Sequence, residues 1–137
     1  MKLKFTFVLI LAISVFIISC SKSSDKHSNP IVGTWTGYHT IKNQPTREDL
    51  GILTYSFTIK ADSSIAMQEL GNDGNTYFYS GTWTLNGTDF KAFVSGAAGL
   101  TLSLTATYSD DKGTLSSGDW ENPNGSGGGT FEMTRTN

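Results

Sequence analysis

The chain has 137 residues and a mass of 14.8 kDa, which is enough for one domain and too short for two of ordinary size. Without its first 19 residues it keeps eight basic and twelve acidic side chains, a formal charge of −4 with no cluster of Lys or Arg. Nucleic-acid binding requires such a cluster, so we expect no nucleic-acid partner. One cysteine and two histidines exclude a disulfide framework and a Cys-based zinc site, and they point away from an enzyme.

The first twenty residues have the pattern of a secretion signal. Lys2 and Lys4 give a positive start, and a largely apolar run follows from 5 to 18. These fourteen residues make about 21 Å of helix, which is shorter than the hydrocarbon core of a membrane and typical of a signal peptide. The run ends on a serine directly before the only cysteine, Cys20, and this arrangement resembles the lipobox of bacterial lipoproteins. The resemblance implies a signal peptide over 1–19 and a lipid-modified (palmitate-carrying) Cys20 that anchors the protein in the membrane.

An ordinary signal peptide followed by an incidental cysteine is the alternative.

The segment 20–30 consists of Cys20 and the sequence SKSSDKHSNP. This sequence has no apolar side chain able to pack, so it predicts a disordered tether. The serine after Cys20 resembles the sorting pattern that permits transit to an outer membrane. We therefore expect an outer-membrane lipoprotein of the cell envelope, on the periplasmic face or at the cell surface.

From Ile31 onward apolar and polar residues alternate with a period of two, most clearly at 53–60, 100–108 and 130–135. Such alternation is typical of strands with one buried face, and no helical period is present. Turn signals such as the Asn-Gly pair at 86–87 separate the runs. We predict eight strands, at residues 31–41, 51–61, 64–70, 76–86, 88–95, 100–108, 114–120 and 129–136.

Every connection between these strands is consistent with a hairpin. The sequence therefore predicts an all-β domain over 31–137, an eight-stranded antiparallel up-and-down barrel. Closing the sheet into a barrel also removes its two exposed edges. A two-sheet β-sandwich is the competing architecture, and it would need the long crossovers of a Greek key.

A Gly-x-Trp element occurs three times, at 33–35, 81–83 and 118–120. Glycine lets a strand bend or another backbone approach, and the indole two positions later lies on the same face of the strand. Such an element at the start of the first strand resembles the signature of the lipocalin (calycin) family. The domain as a whole resembles the short lipocalin-like lipoproteins of Bacteroidota-type bacteria, and the segments with this likeness are 31–36, 57–62, 80–87 and 128–133.

The resemblance implies that the first-strand tryptophan, Trp35, closes the base of the barrel against an arginine near the end of the last strand. Arg135 is the candidate for that arginine. It has the same parity as Phe131 and Met133, so its side chain should point inward beside Trp35 and permit a cation–π contact.

Alternate connections of an up-and-down barrel lie at the same end. Short turns therefore fall at the end of Trp35 and Arg135, and the longer loops fall at the other end, as in a ligand cup with a closed base and a mouth. Those longer loops are 42–50, 71–75, 96–99 and 121–128. The inward positions nearest this mouth are the candidate ligand-lining residues, namely His39, Ile41, Leu53, Tyr55, Met67, Glu69, Tyr77, Tyr79, Leu100, Leu102 and Trp120.

Mostly apolar walls with a few polar groups suit a small apolar or amphipathic ligand. However, an eight-stranded barrel is also about the width that side chains alone can fill. Two hypotheses follow: a lipid-anchored envelope barrel that binds a small hydrophobic ligand, and a filled envelope module that binds a protein or a glycan through its loops. We expect no catalytic residue, metal or cofactor, since His39 is the only imidazole of the domain and no nucleophile motif is present. We also expect the protein to be a monomer.

Overall fold

The computed structural model describes residues 29–42, 54–71, 73–125 and 127–136. The predicted signal peptide, Cys20 and the tether up to residue 28 lie outside these residues. The strands are β1 (Gly33–His39), β2 (Thr54–Ile59), β3 (Ser64–Leu70), β4 (Thr76–Asn86), β5 (Asp89–Gly96), β6 (Thr101–Ser109), β7 (Thr114–Glu121) and β8 (Gly128–Arg135).

Each strand pairs antiparallel with its neighbours in sequence, and β8 pairs with β1, so the sheet closes into a barrel. The predicted eight-stranded up-and-down barrel is thus confirmed, and the sandwich alternative is wrong. The loop between β5 and β6 contains a short 3₁₀ helix at Ala97–Gly99. Within the described part of the chain there is no helix with the length and hydropathy needed to span a membrane.

The predicted bounds of β3 and β4 match the structure, and those of β5 to β8 differ by one residue at most. The first strand is shorter than predicted by two residues at each end. At its start, the backbone N–H of Val32 donates to the carbonyl of Asn29 and forms a turn. At its end, contact with β8 continues less regularly, since Thr40 and Lys42 donate their N–H groups to Thr130 and Gly128.

Large apolar side chains from every strand fill the interior of the barrel. The largest fully buried ones are Ile31, Trp35, Tyr55, Phe57, Ile59, Ile65, Met67, Phe90, Leu104, Leu115, Phe131 and Met133. These residues follow the period of two within their strands, because successive side chains of a strand point to opposite faces. The middle of the barrel is therefore a packed core, as expected for eight strands.

Two glycines allow strands to bend where the barrel curves. A Cβ atom at Gly37 would overlap the carbonyl oxygen of Glu132, and one at Gly81 would overlap that of Phe93. These close backbone approaches are available only to glycine, and such kinks are a common way to close a sheet. The predicted role of glycine in the Gly-x-Trp element at 81–83 is confirmed.

The base of the barrel joins the first and last strands. Trp35 and Arg135 are direct partners in the β1–β8 ladder, and Cζ of Arg135 lies 5.1 Å from the centre of the Trp35 ring. Nη2 of Arg135 also donates to the Tyr108 hydroxyl at 2.9 Å, and this hydroxyl donates to Asp110 at 2.6 Å. The cation–π contact that parity predicts is present, and a hydrogen-bonded network extends it to β6.

Candidate functional site

Four polar side chains meet inside the barrel at the end opposite Trp35. His39 is the last residue of β1, and Tyr55 and Glu69 are direct partners in the β2–β3 ladder. The rings of His39 and Tyr55 are stacked, with centres 4.0 Å apart and planes 11° apart. The Tyr79 hydroxyl of β4 donates to Oε2 of Glu69 at 2.9 Å. We call these four residues the mouth cluster.

Three polar atoms of the mouth cluster are buried without a hydrogen-bond partner in the described part of the chain. They are Nδ1 and Nε2 of His39 and the hydroxyl oxygen of Tyr55. His39 is 4% exposed and Tyr55 1% exposed. Oε1 of Glu69 lies 3.5 Å from Nε2 of His39 and does not form a hydrogen bond with it. A buried polar group without a partner lowers the stability of the fold by about 1–3 kcal/mol. This arrangement is therefore destabilising unless another molecule supplies the missing hydrogen bonds.

Burial sets the charge of this cluster. Loss of solvation lowers the pKa of His39 to about 4. The backbone carbonyls of Leu70 and Thr40 lie near enough to the ring to oppose this shift, but they do not meet the geometry of a hydrogen bond with either nitrogen. The ring is therefore neutral at pH 7 and offers one N–H donor and one acceptor nitrogen. Burial, followed by the negative charge of Glu69, raises the pKa of Tyr55, so its hydroxyl stays protonated and can donate.

Glu69 experiences two opposing effects. Burial raises the pKa of its carboxyl group, whereas the hydrogen bond from Tyr79 lowers it, and the pKa stays above its ordinary value. The cluster thus combines a hydroxyl, a neutral imidazole and a carboxyl group in one buried layer. This set suits hydrogen bonding to a polar group of a ligand. Among the described residues no three His, Cys, Asp or Glu side chains are placed to hold a metal ion.

Four apolar or aromatic residues lie at strand ends on the same end of the barrel as the mouth cluster. Tyr77 at the start of β4 and Leu100 before β6 are 41% and 40% exposed. Ile41 after β1 and Trp120 near the end of β7 are half-buried. These four residues, which we call the rim, place apolar surface at the solvent boundary above a polar layer.

Trp120 forms one wall of the mouth. Its ring edge faces His39, with centres 6.2 Å apart and planes at 76°. Its indole N–H donates to the carbonyl oxygen of Thr40 at 2.9 Å, which links β7 to the chain that follows β1. A Cβ atom at Gly129, opposite Trp120 in the β7–β8 ladder, would lie 2.6 Å from the indole nitrogen. The glycine is therefore needed where the indole crosses β8.

The structure separates the predicted ligand-lining residues into three groups. The side chains buried inside the barrel are His39, Tyr55, Met67, Tyr79 and Leu102. Ile41, Glu69 and Trp120 are half-buried. Tyr77, a predicted ligand-lining residue, is exposed at the mouth, and its hydroxyl donates to Asp73 in the β3–β4 loop. An odd or even position decides which face of the strand a side chain lies on, but not how far along the barrel axis it lies. Tyr77 lies close to the start of β4, at the open end of the barrel. Leu100 is exposed for the same reason, and Leu53 lies outside the described residues.

Sequence reasoning missed a groove on the outside of the barrel near the mouth. It has a volume of about 840 Å³, and we call it the outer groove. The signal that could have indicated it is a pair of acidic residues two apart on one strand, Asp119 and Glu121, followed by a Gly-rich loop. Its lining residues are Thr40, Lys42, Ser103, Thr105, Asp119, Trp120, Glu121, Asn122, Gly125, Gly127, Gly128, Gly129 and Thr130.

Comparison of the chain with protein-family models, with curated proteins and with solved structures gives no match.

Proposed function

We propose that the protein is a lipid-anchored barrel of the cell envelope that binds a small amphipathic ligand at its mouth. The proposal rests on one observation: at the mouth, below the rim, buried polar atoms of His39 and Tyr55 have no hydrogen-bond partner among the described residues. A ligand that enters with its polar group first would supply partners for His39 and Tyr55. Its apolar part would then contact Tyr77, Leu100 and Trp120 at the rim.

The packed core limits the size of this ligand. Below the mouth cluster, Phe57, Met67 and Phe131 are almost fully buried, so a ligand occupies only the upper layer of the barrel. The side chain of His39 has no solvent-accessible surface, so the rim must move for the ligand to reach it. The Glu69 carboxyl group favours a neutral or cationic polar group over an anionic one, because like charges repel.

Binding can be tested with amphiphiles of equal chain length and different polar groups. We expect decan-1-ol and decylamine to bind the full chain more tightly than decanoate, as measured by tryptophan fluorescence and native mass spectrometry. Tyr55→Phe should weaken binding of both by about tenfold, the loss of one hydrogen bond. Tyr108→Phe is the matched control, since Tyr108 is a buried tyrosine at the base. Equal binding to the Tyr55→Phe variant and the unchanged protein, or no binding at all, would contradict the proposal.

The lipid anchor is a separate part of the proposal. The described chain begins at the base, where the carbonyl of Ile31 accepts the indole N–H of Trp35 at 2.9 Å. An anchor at Cys20 would thus hold the base toward the membrane and leave the mouth facing away from it. The lipocalin-like character proposed from the Gly-x-Trp elements fits this orientation of a cup with a closed base.

Lipidation can be tested by labelling growing cells with an alkyne analogue of palmitate. We expect the full chain to incorporate the label and Cys20→Ser to lose it. Ser21→Ala is the matched control and should retain the label. Label on the Cys20→Ser protein, or none on the unchanged protein, would contradict lipid attachment at Cys20 without affecting the binding proposal.

A further inference from the structure

The outer groove has a regular pattern of polar groups that the mouth does not share. Asp119 and Glu121 are exposed and lie two residues apart on the outward face of β7. In the ladders beside them, Asp119 is opposite Thr105 of β6 and Thr130 of β8, and Glu121 is opposite Ser103 of β6. Each carboxylate therefore has a hydroxyl group as a cross-strand neighbour, and the groove presents acceptors and donors in alternation.

Aromatic rings stand at both ends of this polar surface. Trp120 lines the outer groove at the mouth, and its half-buried indole lies next to Gly127 and Gly129. A smaller adjoining groove of about 480 Å³ shares Asp119 and Thr130 with it and is lined by Tyr38. Tyr38 is 45% exposed on the outside of β1.

The Tyr38 ring has a fixed position, because its hydroxyl donates to Oε2 of Glu132 at 2.8 Å. This hydrogen bond joins β1 to β8 on the outer face. Two aromatic rings and three carboxylates thus border one continuous surface that crosses β6, β7, β8 and β1.

We infer that the outer groove binds an oligosaccharide composed of neutral or amino sugars. Sugar hydroxyls are both donors and acceptors, as are the groups of this groove, and the apolar faces of sugar rings pack on aromatic side chains. The volume lies within the range of about 300–1,000 Å³ that small-molecule sites occupy. Asp119 and Glu121, with Lys42 as the cation among the described lining residues, disfavour anionic polysaccharides.

A protein partner fits this surface less well. Protein interfaces are centred on buried aromatic, Met and Arg side chains with apolar contacts around them. The lining of the outer groove, as far as the structure describes it, contains Trp120 and otherwise polar side chains and glycines. Trp120 borders both the mouth and the outer groove, whereas Asp119 and Glu121 are exposed on β7 and belong to the groove alone. Variants of the two carboxylates therefore test the groove separately from the mouth.

The test uses the purified full chain and four named probes: cellotetraose, maltotetraose, the glucosamine tetramer and tetragalacturonate. Affinities are measured by isothermal titration, with tryptophan fluorescence as a second readout. We expect at least one neutral or amino tetrasaccharide to bind and tetragalacturonate to bind at least about tenfold more weakly. Binding of tetragalacturonate alone, or of no tetrasaccharide, would overturn the inference.

The variants locate the site. The double variant Asp119→Asn, Glu121→Gln should weaken the bound tetrasaccharide by about tenfold or more, since charged acceptors make the stronger hydrogen bonds. Both side chains are exposed, so the fold should be retained, and thermal unfolding checks this.

The matched control is Asp89→Asn, Asp111→Asn, which removes two exposed charges outside the groove. Equal affinity in the groove variant and the control would show that the outer groove is not the site. Loss of binding in Tyr55→Phe instead would place the sugar at the mouth and also overturn the inference.

Discussion

The Tyr55 hydroxyl is a buried group that has no hydrogen-bond partner within the described part of the chain. Tyr55→Phe removes this oxygen and keeps the ring that stacks on His39. We expect the free energy of unfolding to rise by about 1 kcal/mol, because the substitution removes a buried polar group without a partner. Urea unfolding of the two proteins measures the difference.

Tyr108→Phe provides the opposite case at the base. The Tyr108 hydroxyl accepts from Arg135 and donates to Asp110, so its loss should lower the free energy of unfolding by about 1 kcal/mol. A decrease of similar size for Tyr55→Phe would mean that its hydroxyl has a partner in solution, such as an ordered water. Residues retained for binding often reduce stability, and Tyr55 would be one of them.

His39 makes stability depend on pH. Its pKa is lowered to about 4 in the folded protein, while the unfolded chain binds a proton near pH 6.5. Between these values the unfolded state holds more protons, so stability falls as pH decreases. We expect a loss of about 2 kcal/mol between pH 6.5 and pH 5 from this residue. Glu69, whose pKa is raised, opposes the loss near the lower end of this range.

The control for this prediction is a difference measurement. His39→Gln removes the titration, and subtracting its stability curve from that of the unchanged protein cancels His27 and the exposed carboxylates. Making the same comparison in a Glu69→Gln background isolates the pH-dependent stability that the His39 imidazole contributes. A difference that stays constant from pH 6.5 to pH 5 would show that His39 can take up a proton while folded.

The Gly-x-Trp elements act at the ends of strands. Each of the three indole N–H groups donates to a backbone carbonyl beside a strand terminus, and all three distances are 2.9 Å. The acceptors belong to Ile31, Lys60 and Thr40, which precede β1, follow β2 and follow β1. A buried indole needs such a partner, and backbone carbonyls at strand ends provide one. The element therefore combines a glycine with an indole that donates a hydrogen bond to a carbonyl at the end of a strand.

Gly81→Ala tests the bend in β4. A Cβ atom there would overlap the carbonyl oxygen of Phe93, so the β4–β5 ladder must shift to accept it. We expect the free energy of unfolding to fall by about 2–3 kcal/mol, in the range of backbone displacement by overpacking. Gly127→Ala is the matched control, since its nearest neighbour would be the Trp120 ring at 3.9 Å, an ordinary contact. Equal stability of the two variants would mean that β4 accepts a side chain without moving.

At the scale of the whole molecule, the barrel depends on the seam between β1 and β8. The seam is secured inside by the Trp35–Arg135 contact and outside by the hydrogen bond from Tyr38 to Glu132. The two contacts lie on opposite faces of the same pair of strands. Closure leaves no sheet edge available for pairing with another chain, which limits aggregation.

Arg135→Met tests the inner contact of the seam. It keeps most of the apolar stem and removes the charge over Trp35 and the donor to Tyr108. We expect the free energy of unfolding to fall by about 1–2 kcal/mol. Lys91→Met is the matched control on the exposed outer face of β5 and should change stability little. Equal losses in the two variants would indicate a general charge effect and not a contact at the base.

Much of the fold follows from local pattern. The alternation at 53–60 and 100–108 predicts strands because only a strand places every second side chain on one face. Hairpin connections such as 86–87 predict pairing between neighbours in sequence. The inward position of Arg135 follows from its parity with Phe131 and Met133. These features depend on residues close together in the chain.

The candidate sites depend on distant parts of the chain. His39 stacks on Tyr55, and Trp120 reaches Thr40 across eighty residues, because of the stagger between strands in the closed barrel. Parity gives the face of a strand, whereas the stagger sets the height at which side chains meet. Tyr77 is exposed because it lies near the start of β4, at the end of the barrel. The sequence by itself determined the strands, their order and their two faces, and only the tertiary structure decided which side chains lie together at the mouth and in the groove.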